Sequence, residues 1–498
     1  MRVLEEKKEA NIVEKIINVA VPELGAPKAV LSMLHGYDQS ILAGVAMTRD
    51  NARVFSQNMT SAYSLLPSKK FFENNTIKII NDYFSNSAGK IASTYEGMKN
   101  FLLNNSFSKK SSSILNTPLL LNSALMNTAN SLHSIFDIWK PASSTKTISL
   151  FGWGVLTPSA ITYDKNLHCK PVIYAPCQPE ITSLLSSDGD GTVLTNSNSN
   201  LSDKSFFLNL KTLKTDTEKE IKHADILESV DALNMIKKEI KNPVSDNEYG
   251  KYITSSKPVD NDKWLTIRIL SPVDIDVYDK KGNHTGIKEN YVPTPGIDPI
   301  ENRIPNSYYE DFADSKRVIL LYGEDYQIVL KGNDSGAVIV KASVSQYDNV
   351  LASTTFKEMP VTPLLNVELV IPTTLSSLAT SSVMNMDIDG DGVTDFVNRS
   401  NEFLGATSSY PIVDFATYLE SIKKVILSLK LSSREEKRWL EKIEKMAIKF
   451  NKSHPRKIER IVKNLSKKRF KNSPLTEVQK TNILKTFDTM LFELEAEK

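Results

Sequence analysis

In the stretch SSDGDGTV, Asp190 stands between Gly189 and Gly191, and His223 follows 33 residues later at the head of the KHADIL stretch. Glycines on both sides let the chain bend sharply and lift the carboxylate clear of its neighbours. A carboxylate so placed can orient an imidazole and stabilise its cation, which is what a general base needs when it takes a proton from a hydroxyl. Each residue also has an ordinary explanation. Asp-Gly is a common turn, and a histidine at a helix start is often a cap. The third member of such a constellation, a serine on a sharp strand-to-helix turn, would read G-x-S-x-G. Glycines four apart occur in GNHTG (282–286) and GNDSG (332–336), which centre on His284 and Asp334 and read as hairpin turns in a β-rich region. SNSAG (85–89) offers Ser87 without the first glycine and without a strand leading into it. The 498 residues contain no such motif.

A second group of acids stands in NMDIDGDGVTDFVN. Asp387, Asp389, Asp391 and Asp395 occupy positions 1, 3, 5 and 9 of a loop, and Gly392 occupies position 6. Calcium is a hard cation that takes six to eight oxygens, and a glycine at position 6 permits the sharp turn of EF-hand-type loops. The Val393 carbonyl would be the ligand at position 7. Position 12 is Asn398 rather than a bidentate Glu, so weak affinity is expected, of the kind that suits extracellular calcium. The expected cofactor is a structural Ca2+, and the other reading is a solvated acidic turn. The D-x-D-x-D-G pattern resembles the loops of dockerins and similar extracellular modules.

These residues need elements to position them. Ile12 to Val21 is β-branched and flanked by charge, TISLFGWGVLT (147–157) is a second buried-strand candidate, and KSFFLNLKTL (204–213) is a third. Such runs suit buried parallel strands. Pro27 sits where a helix tolerates proline, at its first turn. Residues 40–145 read as mostly helical, and Ile226, Leu227, Val230, Leu233 and Ile236 recur at helical spacing over 223–240. Strands alternating with helices predict a layered α/β domain. From Trp264 to about Val397, short β-rich runs alternate with turns such as KKGN and KGND, which predicts an antiparallel β-sandwich. Beyond Phe415 the pattern is helical again, with Ser433 and Glu436 as a capping box.

The order of acid and then histidine, with a strand between, is that of α/β-hydrolases. Several stretches resemble lipases of the lecithin–cholesterol acyltransferase-like group. IINVAVPELGAPKAVLSML resembles the strand and helix that follow that group's nucleophile helix, with Glu23 where the group usually has His. ARVFSQNMTSAYSLLPS (52–68) resembles its Asn-Met-x-Ser-x-x-x-Leu-x-Pro segment. LFGWGVLTPSAITY, GDGTVLTNS and KHADIL follow in the expected order. The resemblance covers roughly residues 1–240. It implies that Asp190 is the triad acid and His223 the general base, that lipid or other acyl esters are the substrates, and that the nucleophile elbow lies upstream of the strand beginning at Ile12. The expectation is therefore the C-terminal part of a hydrolase, inactive alone, with an apolar sheet edge exposed.

The expected architecture is a partial α/β-hydrolase sheet at 1–245 with a helical cap insertion at 69–145, a β-sandwich at 260–400 with the calcium loop at 387–398, and a basic helical domain at 411–498. From Phe415 to Pro474 there are 18 Lys or Arg against 6 Asp or Glu. That excess reads as a solvated helix face, or as a surface for an anionic cell-surface polymer or lipid head group. No specific nucleic-acid partner is expected. Cys169 and Cys177 read equally as two unpaired thiols or as one small disulfide loop. No apolar run approaches the ~18 residues of a membrane span, and no signal peptide precedes the first strand. With the calcium loop, these features lead us to expect an extracellular or cell-surface location. The alternative to an enzyme fragment is a non-catalytic extracellular calcium-binding surface or adhesion protein.

Overall fold

A computed structural model describes residues 6, 9 and 12–408 apart from 39–47, 75–77, 83–89, 105–108, 110–116, 165–179, 199–201, 242–248, 271–272, 289–299, 313–314, 335, 347–348, 389 and 400–405, with scattered positions between 423 and 444. Cys169, Cys177 and nearly all of the expected basic helical domain lie outside the described residues. The described positions at 433–434, 437–438 and 440–441 are helical. The chain divides into two compact units, residues 1–261 with 290–299, and 262–289 with 300–498. Among the described residues, no helix is long and apolar enough to cross a membrane.

The first unit is mixed α/β. In chain order its elements are β1 (Lys15–Val19), α1 (Pro27–His35), α2 (Arg49–Ser56), α3 (Thr60–Ser64), α4 (Lys69–Asn74), β2 (Ile80–Asp82), β3 (Lys90–Ala92), α5 (Tyr95–Asn104), α6 (Ser123–Phe136), β4 (Lys146–Trp153), β5 (Thr157–Asp164), β6 (Glu180–Ser186), β7 (Lys204–Asn209), α7 (Leu210–Thr217), α8 (Val230–Lys241) and β8 (Ile253–Thr254). One sheet has the order β1-β4-β7-β8, parallel except for β8. The central strand β4 is buried from Thr147 to Trp153, with Ile148, Leu150, Phe151 and Trp153 as its large apolar side chains. The edge strand β1 is only half-buried along its length. A second sheet, β3-β2-β5-β6, contains strands from 80–92 within a stretch that reads as helical. The three-residue strands β2 and β3 are too short to show an alternation of their own, and they form because β5 offers β2 a parallel partner.

Two further differences come from local chemistry. The strand expected over 204–213 ends at Asn209, whose side chain accepts the Thr212 N–H at 3.0 Å and opens α7. The helix expected over 223–240 is divided into a 3₁₀ turn at His223–Glu228 and α8, with Ser229 extended between them. That break shifts the helical phase. Ile226, Ala232, Met235 and Glu239 are buried, whereas Leu227, Val230 and Leu233 are exposed.

The second unit holds β9 (Trp264–Leu270), β10 (Val273–Asp279), β11 (His284–Ile287), β12 (Ile300–Asn302), β13 (Tyr308–Phe312), β14 (Ser315–Leu321), β15 (Tyr326–Gly332), β16 (Gly336–Gln346), β17 (Asn349–Val361), β18 (Asn366–Val370), β19 (Val383–Asp387), β20 (Phe396–Arg399) and β21 (Ala406–Ser408). They form two sheets, β12-β11-β10-β15-β18-β19-β20 and β13-β14-β9-β16-β17-β21, antiparallel apart from β21. One core draws Ile267, Val318 and Val340 from one sheet and Ile275, Leu330 and Met384 from the other. KKGN is a hairpin turn between β10 and β11. GNDSG is not a hairpin: it carries the chain from β15 in one sheet to β16 in the other.

His284 of the GNHTG stretch is buried on β11, clamped between two carboxylates. Its Nδ1 lies 2.9 Å from Glu301 Oε2 and its Nε2 3.0 Å from Asp276 Oδ1. Lys331 reaches the other Asp276 oxygen at 3.0 Å, and Arg303 pairs with Glu301. Burial opposes the imidazolium, but the two hydrogen bonds and their negative charges outweigh it and raise the His284 pKa. Burial likewise opposes the Asp276 charge, and the bonds from His284 and Lys331 prevail and lower its pKa. The clamp contributes fully below the unfolded imidazole pKa of ~6.5, is lost as pH rises through the raised value, and weakens at the acid end only as pH falls through the depressed Asp276 value. We expect His284→Ala to destabilise this unit by about 3 kcal/mol, because it removes the cation between two carboxylates and leaves Asp276 with Lys331 and Glu301 with Arg303 as their ion-pair partners. The melting temperature of the native protein should fall between neutral and alkaline pH in calorimetry, and His284→Gln should flatten that fall.

Candidate active site

The carboxyl ends of β4 and β7 meet around one backbone position. A Cβ on Gly152 would lie 2.6 Å from Asp190 Cβ, 2.9 Å from Leu210 Cδ1 and 3.0 Å from Ile226 Cδ1. Only a bare residue at this point in β4 lets the acid loop, the start of α7 and the turn carrying His223 approach together. The acid loop is sewn to the chain just past β4. Gly154 N–H donates to Ser187 O at 2.8 Å, Val155 N–H donates to Gly189 O at 3.0 Å, and Val155 pairs with Asp190 as a parallel bridge. Thr157 Oγ1 accepts Gly191 N–H at 2.8 Å and donates to Val155 O at 2.7 Å.

The two oxygens of the Asp190 carboxylate have different partners. Gly191 adopts φ +90, a left-handed value open to glycine, and the chain doubles back. Thr192 and Val193 N–H then donate to Asp190 Oδ1 at 3.0 and 2.8 Å. Oδ2 accepts from His223 Nδ1 at 2.8 Å. His223 is also held by its main chain, since its N–H donates to Asp190 O at 3.2 Å. The Asp190 side chain is 1% exposed and that of His223 is 32% exposed. With Nδ1–H committed to the carboxylate, Nε2 carries the lone pair of the neutral ring. Among the described residues, no side chain is hydrogen-bonded to Nε2. The hydrogen bond to Asp190, helped by its negative charge, raises the imidazole pKa, while burial and the Lys28 ammonium pull it down.

The stretches before and after these two residues converge as well. In the PELGAP segment, Leu24 N–H donates to Ser197 O at 2.7 Å, next to the acid loop. Ala26 N–H donates to Leu65 O, and Ser68 N–H donates to Leu24 O, tying PELGAP to the LLPS segment. Glu23 accepts from Asn18 Nδ2 at 2.6 Å, and burial pushes its carboxyl up to about 7. From α1, Lys28 Nζ donates to Gly191 O at 3.1 Å, reaches Thr192 Oγ1 at 3.4 Å, and pairs with Asp38 at 2.6 Å. Lys28 and Thr157 were not singled out from the sequence. The only signal was their place inside GAPKAV and LTPSAI. His35 bonds the Tyr163 hydroxyl and His133 bonds Ser64 O, both inside the unit and apart from the acid loop.

In the second unit, the aspartate ladder lies between β19 and β20. Asp387 Oδ1 accepts N–H from Gly390 and Asp391, and Oδ2 accepts from Gly392. Asp391 Oδ1 accepts Val393 N–H, and Asp395 Oδ2 accepts Ile388 N–H. Asp389 lies outside the described residues. Asn398 stands on β20 opposite Met384, three residues back along β19 from Asp387. Among the described residues, no three His, Cys, Asp or Glu side chains gather as a metal-holding cluster.

The family model described as Lecithin:cholesterol acyltransferase matches residues 2–239. No curated protein matches the chain. The matched stretch is thus similar to lipases and acyltransferases, and it contains Asp190, His223 and the segments that hold them. In the Asp190→Asn variant, the His223 imidazole should titrate at lower pH than in the native chain, because its anionic partner is gone. An NMR titration of the ring protons reads this directly, and an unchanged midpoint would mean that Asp190 does not hold the imidazole in solution.

Proposed function

We propose that residues 1–245 form the acid–base part of a serine-dependent acyl-transfer site acting on lipid or other acyl esters, in an α/β-hydrolase arrangement. The observation that carries this reading is the buried Asp190 carboxylate bonded to His223 Nδ1 while Nε2 is left for a reactant. The family match over 2–239 gives that pair its chemical setting.

In this reading a serine hydroxyl lies at Nε2. His223 takes its proton as the oxygen attacks the ester carbonyl carbon, and Asp190 stabilises the imidazolium that forms. The imidazolium then returns the proton to the departing alcohol oxygen as the carbon–oxygen bond breaks, leaving an acyl-serine. Water or an acceptor alcohol attacks next, again giving its proton to His223, and the serine is restored. The serine and the oxyanion donors come from a segment or partner other than these 498 residues, so the chain alone is inactive. Removal of even one oxyanion donor typically costs about 10²–10³ in turnover. Secretion accords with the lipase-like region.

Assay of short p-nitrophenyl esters tests both parts. The 498-residue chain should show no turnover that depends on His223. Activity abolished by His223→Ala would place a nucleophile within this chain. In a polypeptide or complex that also carries a G-x-S-x-G segment, His223→Ala and Asp190→Asn should each lower turnover about 10⁴-fold. Indifference to both substitutions would sink the acyl-transfer reading.

A second reading, a calcium-binding extracellular surface protein, is favoured by the loop closed around Asp387. Three backbone N–H groups draw the chain around one carboxylate, and Gly390 and Gly392 adopt φ +75 and +85 to make the turn. Carboxylate and carbonyl oxygens suit a hard cation. Asp387, Asp389, Asp391, Asp395 and the Val393 carbonyl would hold Ca2+, which would neutralise their mutual repulsion. Asn398, which pairs with Met384 on the strand, would contribute least. At 1 mM calcium and a Kd of ~10⁻⁴ M, the ion adds about 1.4 kcal/mol to the second unit. EDTA should therefore lower its melting temperature, and Asp391→Asn should remove the response. A melting curve indifferent to calcium would exclude the site.

A further inference from the structure

We propose that Lys28 is a positioning residue for the Asp190–His223 pair, bracing from α1 the two loop residues that follow Asp190 and placing a fixed positive charge near the imidazole. This rests on the acyl-transfer reading for its purpose, though not for its test.

The geometry has two parts. Lys28 is the second residue of α1, a helix buried along most of its length, so its backbone is fixed by the core. Its Nζ meets Gly191 O and Thr192 Oγ1. Those are the residues whose turn delivers Thr192 and Val193 N–H to Asp190 Oδ1. A third contact, to Asp38, holds the ammonium from the other side. The Lys28 side chain is 14% exposed, so water screens its charge less than that of an ordinary surface lysine. The groups acting on the imidazole are thus Asp190, which favours its cation, and Lys28, which disfavours it.

The opposition has a chemical use. Asp190 raises the proton affinity of the His223 ring, and the nearby Lys28 ammonium opposes that rise. The opposition favours the neutral ring that a general base uses. Lys28 thus stiffens the acid loop and restrains the imidazole's proton affinity at once.

The two roles separate experimentally. The His223 midpoint is read by NMR titration of the ring protons in the native chain, Lys28→Met and Lys28→Arg, with the His35, His133 and His284 resonances reporting that the fold is intact. Loss of a mere brace would loosen the Asp190–His223 bond and lower the midpoint. Loss of the opposing charge raises it. We expect a higher midpoint in Lys28→Met and a native one in Lys28→Arg. Near the midpoint, the charged-to-neutral ratio of the ring should rise about twofold in Lys28→Met, as befits a partly screened pair. An unchanged midpoint in Lys28→Met with the fold intact overturns the proposal, as does an equal rise in both variants, and a lowered midpoint overturns the opposing charge while upholding the brace. No turnover is needed for this measurement. A failed ester assay would count against the acyl-transfer reading alone, and a failed titration against the role of Lys28 alone.

Discussion

A carboxylate that is almost wholly removed from water must have its lone pairs filled, and the way Asp190 fills them governs the rest of the site. Oδ1 is satisfied by its own loop, through the amides of Thr192 and Val193, and Oδ2 is left for the imidazole. Were both oxygens taken by amides, His223 would have no anion to face. Were neither, a buried charge would lack hydrogen bonds, at a large desolvation cost. The division depends on the left-handed turn at Gly191, on Thr157 receiving the Gly191 amide, and on the bridge from Val155. All of these hang from the end of β4, and β4 can receive them because Gly152 has no side chain. The Asp190 and His223 side chains are therefore placed by the backbone of one central strand and by the loops it anchors.

Much of this was legible in the residues, for identifiable reasons. β4 could be read because a strand covered on both faces carries large apolar side chains on both, and Ile148, Leu150, Phe151 and Trp153 supply them. The contact between Asp190 and His223 could be anticipated because flanking glycines, chain order and an intervening strand all pointed the same way. The start of α1 at Pro27 followed from proline's fixed geometry. What failed was whatever depends on a partner distant in sequence. β2 and β3 have three residues each and owe their existence to β5. The exposed side of Leu227, Val230 and Leu233 was misread because the extended residue Ser229 resets the helical phase, and a periodicity count assumes a continuous helix. Lys28 reaches a loop more than 160 residues away, which no local spacing announces.

The second unit divides in the same manner. Its strands were visible in alternation and turn residues, and KKGN proved a hairpin because Asp279 accepts the Lys281 and Asn283 amides. GNDSG has the same turn chemistry yet joins two sheets, since only the pairing of the flanking strands decides whether a turn closes a hairpin. The cluster of Asp276, His284 and Glu301 draws on three adjacent strands, so no sequence window contains it. The aspartate ladder is the converse case. Its residues are close in sequence, and the bonds that Asp387, Asp391 and Asp395 accept come from amides within the loop.

The clamp at His284 sets a limit on the molecule that neither unit shows by itself. Both His223 and His284 have raised proton affinity, but opposite states of the two rings are useful. A base at His223 needs its ring neutral, which favours alkaline surroundings. The β unit is firmest with its ring charged, which favours acidic ones. A protein that uses both answers to two opposed demands on pH, one set at Asp190 and Lys28 and the other at Asp276 and Glu301.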